Sequence, residues 1–331
     1  MQIKIGKVLS LLLIICLIHS PFAKVINYPW AYDNTDDNLN FKNDYIGELD
    51  YDGKYKFIKD DLQNINQMSF VYGKYSTKFL KNEPFLDDAF INQTVVIMKA
   101  FCDNMKNRNK EVYFMIAPTK ELVYYDYIKA FNVNVSDDND LNKLLKLANE
   151  QNINIIFPLD TLIKARQYVH TYYTKDSHWN KVGAYLATID LYKEMGMPHK
   201  LLSEQNIYEL ESDLIGRCFY ELDYFGDGTL TLIDTHGKEE ALAELINTES
   251  TSTLDKEITI IGDSYRYFIN NVLSKDFKKT NSIILHGVND PEILKEIIDT
   301  DTIIIMATLE NMPLIPTIVL TVNNYFNALN E

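Results

Sequence analysis

Between Asp88 and Asn107 the apolar residues Phe90, Ile91, Val95, Met98, Phe101 and Met105 recur at three- and four-residue spacing, which predicts an amphipathic helix. Short continuous apolar runs follow a different rule. Val112 to Ala117 stops at Pro118 and Ile153 to Phe157 stops at Pro158, so both read as buried strands, with a helix over 141–150 between them. Further along, 182–195 reads as a helix and 258–261 as a strand running into Gly262. Two more strands, 281–285 and 302–306, flank a helix at 292–298. Strands alternating with helices predict an α/β fold, a mostly parallel sheet flanked by helices, with the ligand crevice at the carboxyl ends of the strands. No repeat or long Gly/Pro/Ser linker breaks the pattern. Residues 31–56 are rich in Asp, Asn, Tyr and Gly without helical period, so 25–56 is expected to be a surface lead-in to a single domain over 57–331.

The first 24 residues stand apart. Lys4 and Lys7 precede an apolar run from Val8 to Ile18 that meets His19, Ser20 and Pro21, the layout of a signal peptide or an N-terminal membrane anchor. Positive charge ahead of the run places Lys4 and Lys7 on the cytoplasmic side, so the chain is expected to be secreted or anchored with its domain extracytoplasmic. Cys16 lies in the run without the small residue before it that a lipidated cysteine would want. Composition then excludes several classes. With 46% hydrophobic and 24% charged residues in 331, the chain is a folded globular protein. Its 47 acidic against 32 basic residues leave a formal charge of −15, which repels polyphosphate, so nucleic acid is not an expected partner. Beyond the leader only Cys102 and Cys218 remain, enough for one bridge at most and without metal-site spacing; neither metal nor cofactor is expected.

Two segments carry candidate chemistry. In Ile261-Gly262-Asp263-Ser264-Tyr265 the serine follows a strand and opens a helix, where its hydroxyl is presented on a sharp turn and its N–H lies at the positive helix end. The same residues also suit a plain strand-to-helix turn in which Ser264 or Asp263 caps the helix. A serine nucleophile needs a base, because a free hydroxyl attacks poorly at neutral pH. In Thr174-Lys175-Asp176-Ser177-His178-Trp179-Asn180 a carboxylate stands two residues before a histidine and could fix its tautomer. That pattern alone equally fits a helix cap followed by a surface histidine.

Together these blocks resemble a known family. Gly262-Asp263-Ser264 is similar to the nucleophile block of the SGNH (GDSL-like) esterases, and Asp176-Ser177-His178-Trp179, preceding the serine, resembles the permuted order of the alginate O-acetylation proteins and their DHHW-type relatives. Ala117-Pro118-Thr119-Lys120 resembles the Pro-x-Lys that closes an early strand there. The likeness spans roughly residues 70–315. It implies an SGNH-like fold with permuted block order and a serine acyl-transfer mechanism, with Ser264 as nucleophile, His178 as general base and then acid, and Asp176 as its orienting carboxylate. For the oxyanion it implies the Ser264 N–H with a Gly and an Asn, best matched by Gly287 and Asn311; Asn289, in His286-Gly287-Val288-Asn289-Asp290, competes for the Asn role. An arginine that relatives often carry near Glu310-Asn311 is missing. The implied partners are a polysaccharide acceptor and a membrane protein that exports acyl groups.

Four side chains are candidates to meet substrate: Trp179 as a wall, Tyr265 and Arg266 after the nucleophile, and Lys120. Arg266 could instead pair with Asp263, and Lys120 could cover strand-end carbonyls. Asp223, Gly226, Asp227, Gly228 and Asp234 read as a solvated acidic loop, since the ordered ligands and terminal Glu of a calcium loop are absent. The function expected is O-acetylation of a cell-surface or exported polysaccharide. The alternatives are a carbohydrate or acetyl esterase with the same triad and a non-enzymatic glycan-binding assembly protein.

Overall fold

The computed structural model describes residues 40–63, 68–128, 130–136, 138–209, 220–222, 229–235, 243–249 and 254–329. Nine strands are described: β1 (Glu111–Ala117), β2 (Ile155–Ile156), β3 (Ile207–Glu209), β4 (Tyr220–Leu222), β5 (Thr229–Thr235), β6 (Ala243–Glu249), β7 (Leu254–Gly262), β8 (Phe277–Ile284) and β9 (Thr302–Thr308). Seven form one sheet in the order β2-β1-β9-β7-β8-β6-β5, and β3 pairs with β4 in a small hairpin. From β2 through β8 every pairing is parallel, while β6 and β5 add antiparallel strands at one edge.

The helices are α1 (Lys56–Gln63), α2 (Lys74–Lys81), α3 (Asp88–Lys106), α4 (Lys120–Val123), α5 (Asp140–Glu150), α6 (Leu159–Ala165), α7 (Lys181–Glu194), α8 (Arg266–Leu273), α9 (Pro291–Leu294) and α10 (Ile315–Ala328). Period-two alternation divides the strands between two cores. Tyr113, Met115, Ile258, Ile260, Ile304 and Met306 face α6, α7 and α8. Phe114, Ile116, Ile261, Ile303 and Ile305 face α3, α5 and α10. Burial on both sides explains why β9 reads as an unbroken apolar run with every residue covered. This is the mostly parallel, helix-flanked sheet expected from the sequence.

Three details differ from that expectation. The segment 40–55 is no surface strap: Phe41, Ile46, Leu49 and Tyr55 are buried, and the Tyr45 hydroxyl donates to Asp190 Oδ1 at 2.6 Å. Aromatic residues at irregular spacing are buried there by long-range contacts rather than by a helical face. The helix read at 292–298 is one turn, α9, followed by a 3-10 turn at Lys295–Ile297. Asp234 lies in β5 rather than in a loop, and Asp223, Gly226, Asp227 and Gly228 lie outside the described residues, as does the leader at 1–24. Among the described residues no helix is long and apolar enough to cross a membrane.

The loop after β9 also holds the N-terminal side of the domain. Glu310 accepts hydrogen bonds from the backbone N–H groups of Tyr75 (3.1 Å) and Ser76 (2.7 Å), satisfying donors that the first turn of α2 leaves unpaired. A Cβ at Gly73 would lie 2.2 Å from the Glu310 carboxylate, so glycine leaves the carboxylate room to reach these amides. Glu310→Ala is expected to cost about 1–2 kcal/mol, as loss of a helix cap does, read as a lower urea midpoint with unchanged slope.

Candidate active site

The turn after β7 is built around close approach and one carboxylate. A Cβ on Gly262 would lie 3.0 Å from the Met306 carbonyl oxygen and 3.2 Å from Arg266 Cβ, so glycine lets β9 and the first turn of α8 close on the strand end. The buried Asp263 carboxylate then accepts three hydrogen bonds, from Tyr265 N (3.2 Å), Thr308 N (2.7 Å) and Asn311 Nδ2 (2.9 Å). Ser264 sits half-buried at the crest of this turn.

The histidine arrives on a segment braced from below. Asn180 caps α7, its Oδ1 accepting from Gly183 N at 2.8 Å while its Nδ2 donates to the His170 carbonyl at 2.8 Å. A Cβ at Gly183 would lie 2.1 Å from the Thr171 carbonyl oxygen, so glycine allows α7 to press on the chain at 171. Tyr172 and Trp179 form a β-bridge, and the Tyr265 hydroxyl donates to the Ser177 carbonyl. The short loop between is held at both ends.

These supports bring three side chains into line. His178 Nδ1 is 2.6 Å from Asp176 Oδ1, and His178 Nε2 is 2.6 Å from Ser264 Oγ. If Nδ1 carries the proton that Asp176 accepts, Nε2 is left to accept the serine hydroxyl. Burial alone would raise the Asp176 carboxyl, but the hydrogen bonds and charge of His178, with a smaller contribution from Lys120, hold it down at about 2. The side chains of His178 and Asp176 keep 17% and 34% exposure, so a ligand can reach the group from solvent. The His178 ring packs against Tyr265 (centroids 4.7 Å) and Phe268 (5.7 Å). Phe268 was not singled out from the sequence; the signal for it was its position one helical turn beyond Ser264.

The four candidate substrate contacts are placed otherwise. The Lys120 ammonium is buried and donates to the carbonyls of Ser69 (2.7 Å), Tyr173 (2.9 Å) and Thr174 (3.2 Å), so it ties the chain at 173–174 to the segment at 69. Arg266 is fully covered, with NH1 3.3 Å from the Asp263 carbonyl; burial pushes its guanidinium down to about 9 while Asp263 pulls it the other way. Trp179 is likewise buried, its Nε1 donating to the Tyr265 carbonyl at 3.3 Å, so it stands behind Tyr265 and does not wall the opening. Tyr265 is 5% exposed and serves as the floor under the His178 ring. All four shape the site from within.

The oxyanion candidates separate as well. Asn289 closes its own turn, its Nδ2 donating to the His286 carbonyl at 3.1 Å. Asn311 is instead tethered to Asp263, the residue before the nucleophile, by one of its two amide hydrogens. Gly287 is buried in the 3-10 turn Leu285–Asn289, which packs by β7 and β8.

Lys120→Met leaves three backbone carbonyls without their donor, and the expected cost is about 2–3 kcal/mol, seen in urea unfolding; a substrate contact would instead raise KM with stability unchanged. For Asp176 the sign follows from its depressed value. The stabilisation is present above about pH 4, where an unfolded aspartate is ionised, and is lost as pH falls through the folded value of about 2. Asp176→Asn is therefore expected to be less stable than the parent near neutrality, with the gap in urea midpoints narrowing on acidification.

Comparison with known proteins bears on the fold that carries this geometry. Residues 75–210 match the family model described as SGNH hydrolase-like domain, acetyltransferase AlgX. Among solved structures the chain is similar to Bacillus cereus PatB1, determined with a sulfonyl adduct, at 15% identity and a TM-score of 0.55, covering 71% of this chain and 95% of that one. It is also similar to a DHHW family protein from Eubacterium siraeum, at 14% identity and a TM-score of 0.52, covering 71% of this chain and 90% of that one. No curated protein matches the sequence. At such identities the structural likeness speaks for the fold, and with the sequence match it shows that this chain carries the SGNH hydrolase-like fold in the permuted arrangement of the AlgX-like and DHHW-type proteins.

Proposed function

We propose that this chain is an extracytoplasmic serine O-acyltransferase that places acetyl groups on a polysaccharide by way of acetyl-Ser264. The observation that carries the reading is the single imidazole within 2.6 Å of both a depressed carboxylate and a half-buried serine hydroxyl. Ser264 Oγ attacks the donor carbonyl as its proton passes to His178 Nε2, and the leaving group departs with that proton. A saccharide hydroxyl then gives its proton to Nε2 while its oxygen attacks the acetyl-serine carbonyl, and the proton returns to Ser264 Oγ. Asp176 stays ionised throughout and favours the imidazolium. The Ser264 N–H at the start of α8, the second amide hydrogen of Asn311 and the Gly287 N–H are the donors assigned to the oxyanion.

Water in place of the sugar would make the same centre an esterase. The match of residues 75–210 to a domain described by an acetyltransferase favours transfer. The charged and apolar layout of residues 1–24 supports export, and outside the cytoplasm acetyl-CoA is absent, so the reading includes a membrane partner that delivers acyl groups. The test is intact-mass spectrometry of the full-length protein after brief exposure to an activated acetyl ester. One added acetyl group is expected, absent in Ser264→Ala, and glycans that discharge it with formation of an acetylated sugar distinguish transfer from hydrolysis. No added acetyl in either protein would refute the nucleophile. Asp176→Asn is expected to slow acylation about 10³–10⁴-fold by spoiling the tautomer, measured in the same assay.

A further inference from the structure

Ser264 and His178 are 86 residues apart in the chain, so their alignment depends on what joins the two segments. The histidine stands on a hairpin over residues 172–179. Tyr172 bridges to Trp179, the Tyr173 N–H donates to the His178 carbonyl at 3.3 Å, and Asp176 Oδ1 meets both the His178 N–H at 2.7 Å and Nδ1 at 2.6 Å. These bonds keep carboxylate and imidazole together. All of them are internal to the hairpin, so they leave open where the pair stands relative to the serine.

Tyr265, next to the nucleophile, makes the crossing. Its hydroxyl donates to the Ser177 carbonyl, its ring packs on His178 at 4.7 Å between centroids and on Trp179 at 5.1 Å, and its own carbonyl accepts from Trp179 Nε1 at 3.3 Å. One residue thus meets three consecutive residues of the hairpin. On its own side it is fixed to the serine turn, with its N–H donating to Asp263 Oδ1 at 3.2 Å and its carbonyl accepting from Phe268 N at 3.3 Å. The side chain is 5% exposed, and burial holds the phenol well above its ordinary value, so the hydroxyl remains a donor.

The two kinds of contact fix different things. Ring packing sets the spacing of the two planes but lets the imidazole slide across the phenol. The hydrogen bond ends on the peptide that joins Ser177 to His178, and the N–H of that same peptide is held by Asp176. Both ends of one peptide plane are therefore pinned, and the next atom along is the Cα that carries the imidazole. A displacement of about 1 Å at a reacting group can cost about 10² in rate, so this plane is where a small slack would be felt most.

We infer that Tyr265 is a positioning residue whose hydroxyl, through the Ser177 carbonyl, sets the His178 imidazole in line with Ser264 Oγ. The effect on rate rests on the acyl-transfer reading; the placement of the ring does not. The test compares the full-length protein with Tyr265→Phe, which keeps the ring and removes the donor. Nitrogen NMR of histidine-labelled protein at mildly alkaline pH, with the His178 signals assigned by their loss in His178→Gln, is expected to show one tautomer, protonated at Nδ1. Mixed tautomers, or a ring proton in faster exchange with water, are expected in Tyr265→Phe. Acylation of Ser264 by an activated acetyl ester is expected to slow about tenfold or more in kcat with KM unchanged. Tyr51→Phe removes a hydroxyl from the Tyr168 carbonyl, a bond of 2.9 Å of the same kind, and is expected to move neither readout. Should Tyr265→Phe not fold by circular dichroism, a fluorotyrosine at that position keeps the shape and changes the donor strength, and is expected to shift the His178 signals. An unchanged His178 spectrum, an equal effect of Tyr51→Phe, or an unmoved rate in a protein that takes up acetyl would overturn the role. A changed spectrum where the wild type takes up no acetyl removes only the acyl-transfer reading.

Discussion

The Asp263 carboxylate joins two neighbouring strand ends, a helix start and an amide side chain through three hydrogen bonds. A buried carboxylate left unpaired would be costly, so its partners are fixed as firmly as it is. Thr308 belongs to β9 and Tyr265 to the turn that opens α8, and their shared acceptor sets the height at which Ser264 stands above the sheet. Gly262 makes the approach possible by offering no side chain to Met306. The turn bearing Ser264 is thus specified by the strand beside it as much as by its own residues.

The opposite half of the site depends on a buried cation. Lys120 replaces its water with three carbonyls drawn from two separate segments, and its charge adds to the forces that keep Asp176 ionised. Beside it the fully buried Glu121 is raised by desolvation and accepts from Val71 N at 2.7 Å, so the adjacent pair ties the chain near 70 to the strand end at 118–121.

Much of this was legible in the sequence where the signal was local. Pro118 and Pro158 closed apolar runs that proved to be β1 and β2, although β2 is paired over only two residues. Asp176 and His178 are two residues apart and their contact could be read directly, whereas the contact of His178 with Ser264 crosses 86 residues and was suggested by the serine's need for a base and by family resemblance. For Lys120 the sequence offered a substrate contact or a cover for carbonyls, and the structure has the second, though which carbonyls could not be read because every residue has one. β5 and β6 escaped notice since their alternation is carried by Thr, Leu, Asn and Glu at a sheet edge, without the continuous apolar run of a doubly covered strand. The burial of 40–55 was hidden for another reason: Tyr45 meets Asp190 and Tyr51 meets the Tyr168 carbonyl across more than a hundred residues.

The strand order also bears on how the chain comes to be active during synthesis. β9 is the last strand in sequence yet lies between β1 and β7. Without β9 the sheet order divides into β2-β1 and β7-β8-β6-β5, and a chain that has emerged only through α9 has no Thr308 N–H for Asp263. The turn bearing Ser264 gains its Thr308 and Asn311 partners only when the final strand joins the two parts. Premature termination before residue 302 therefore leaves the two parts of the sheet unjoined and Asp263 without its Thr308 partner.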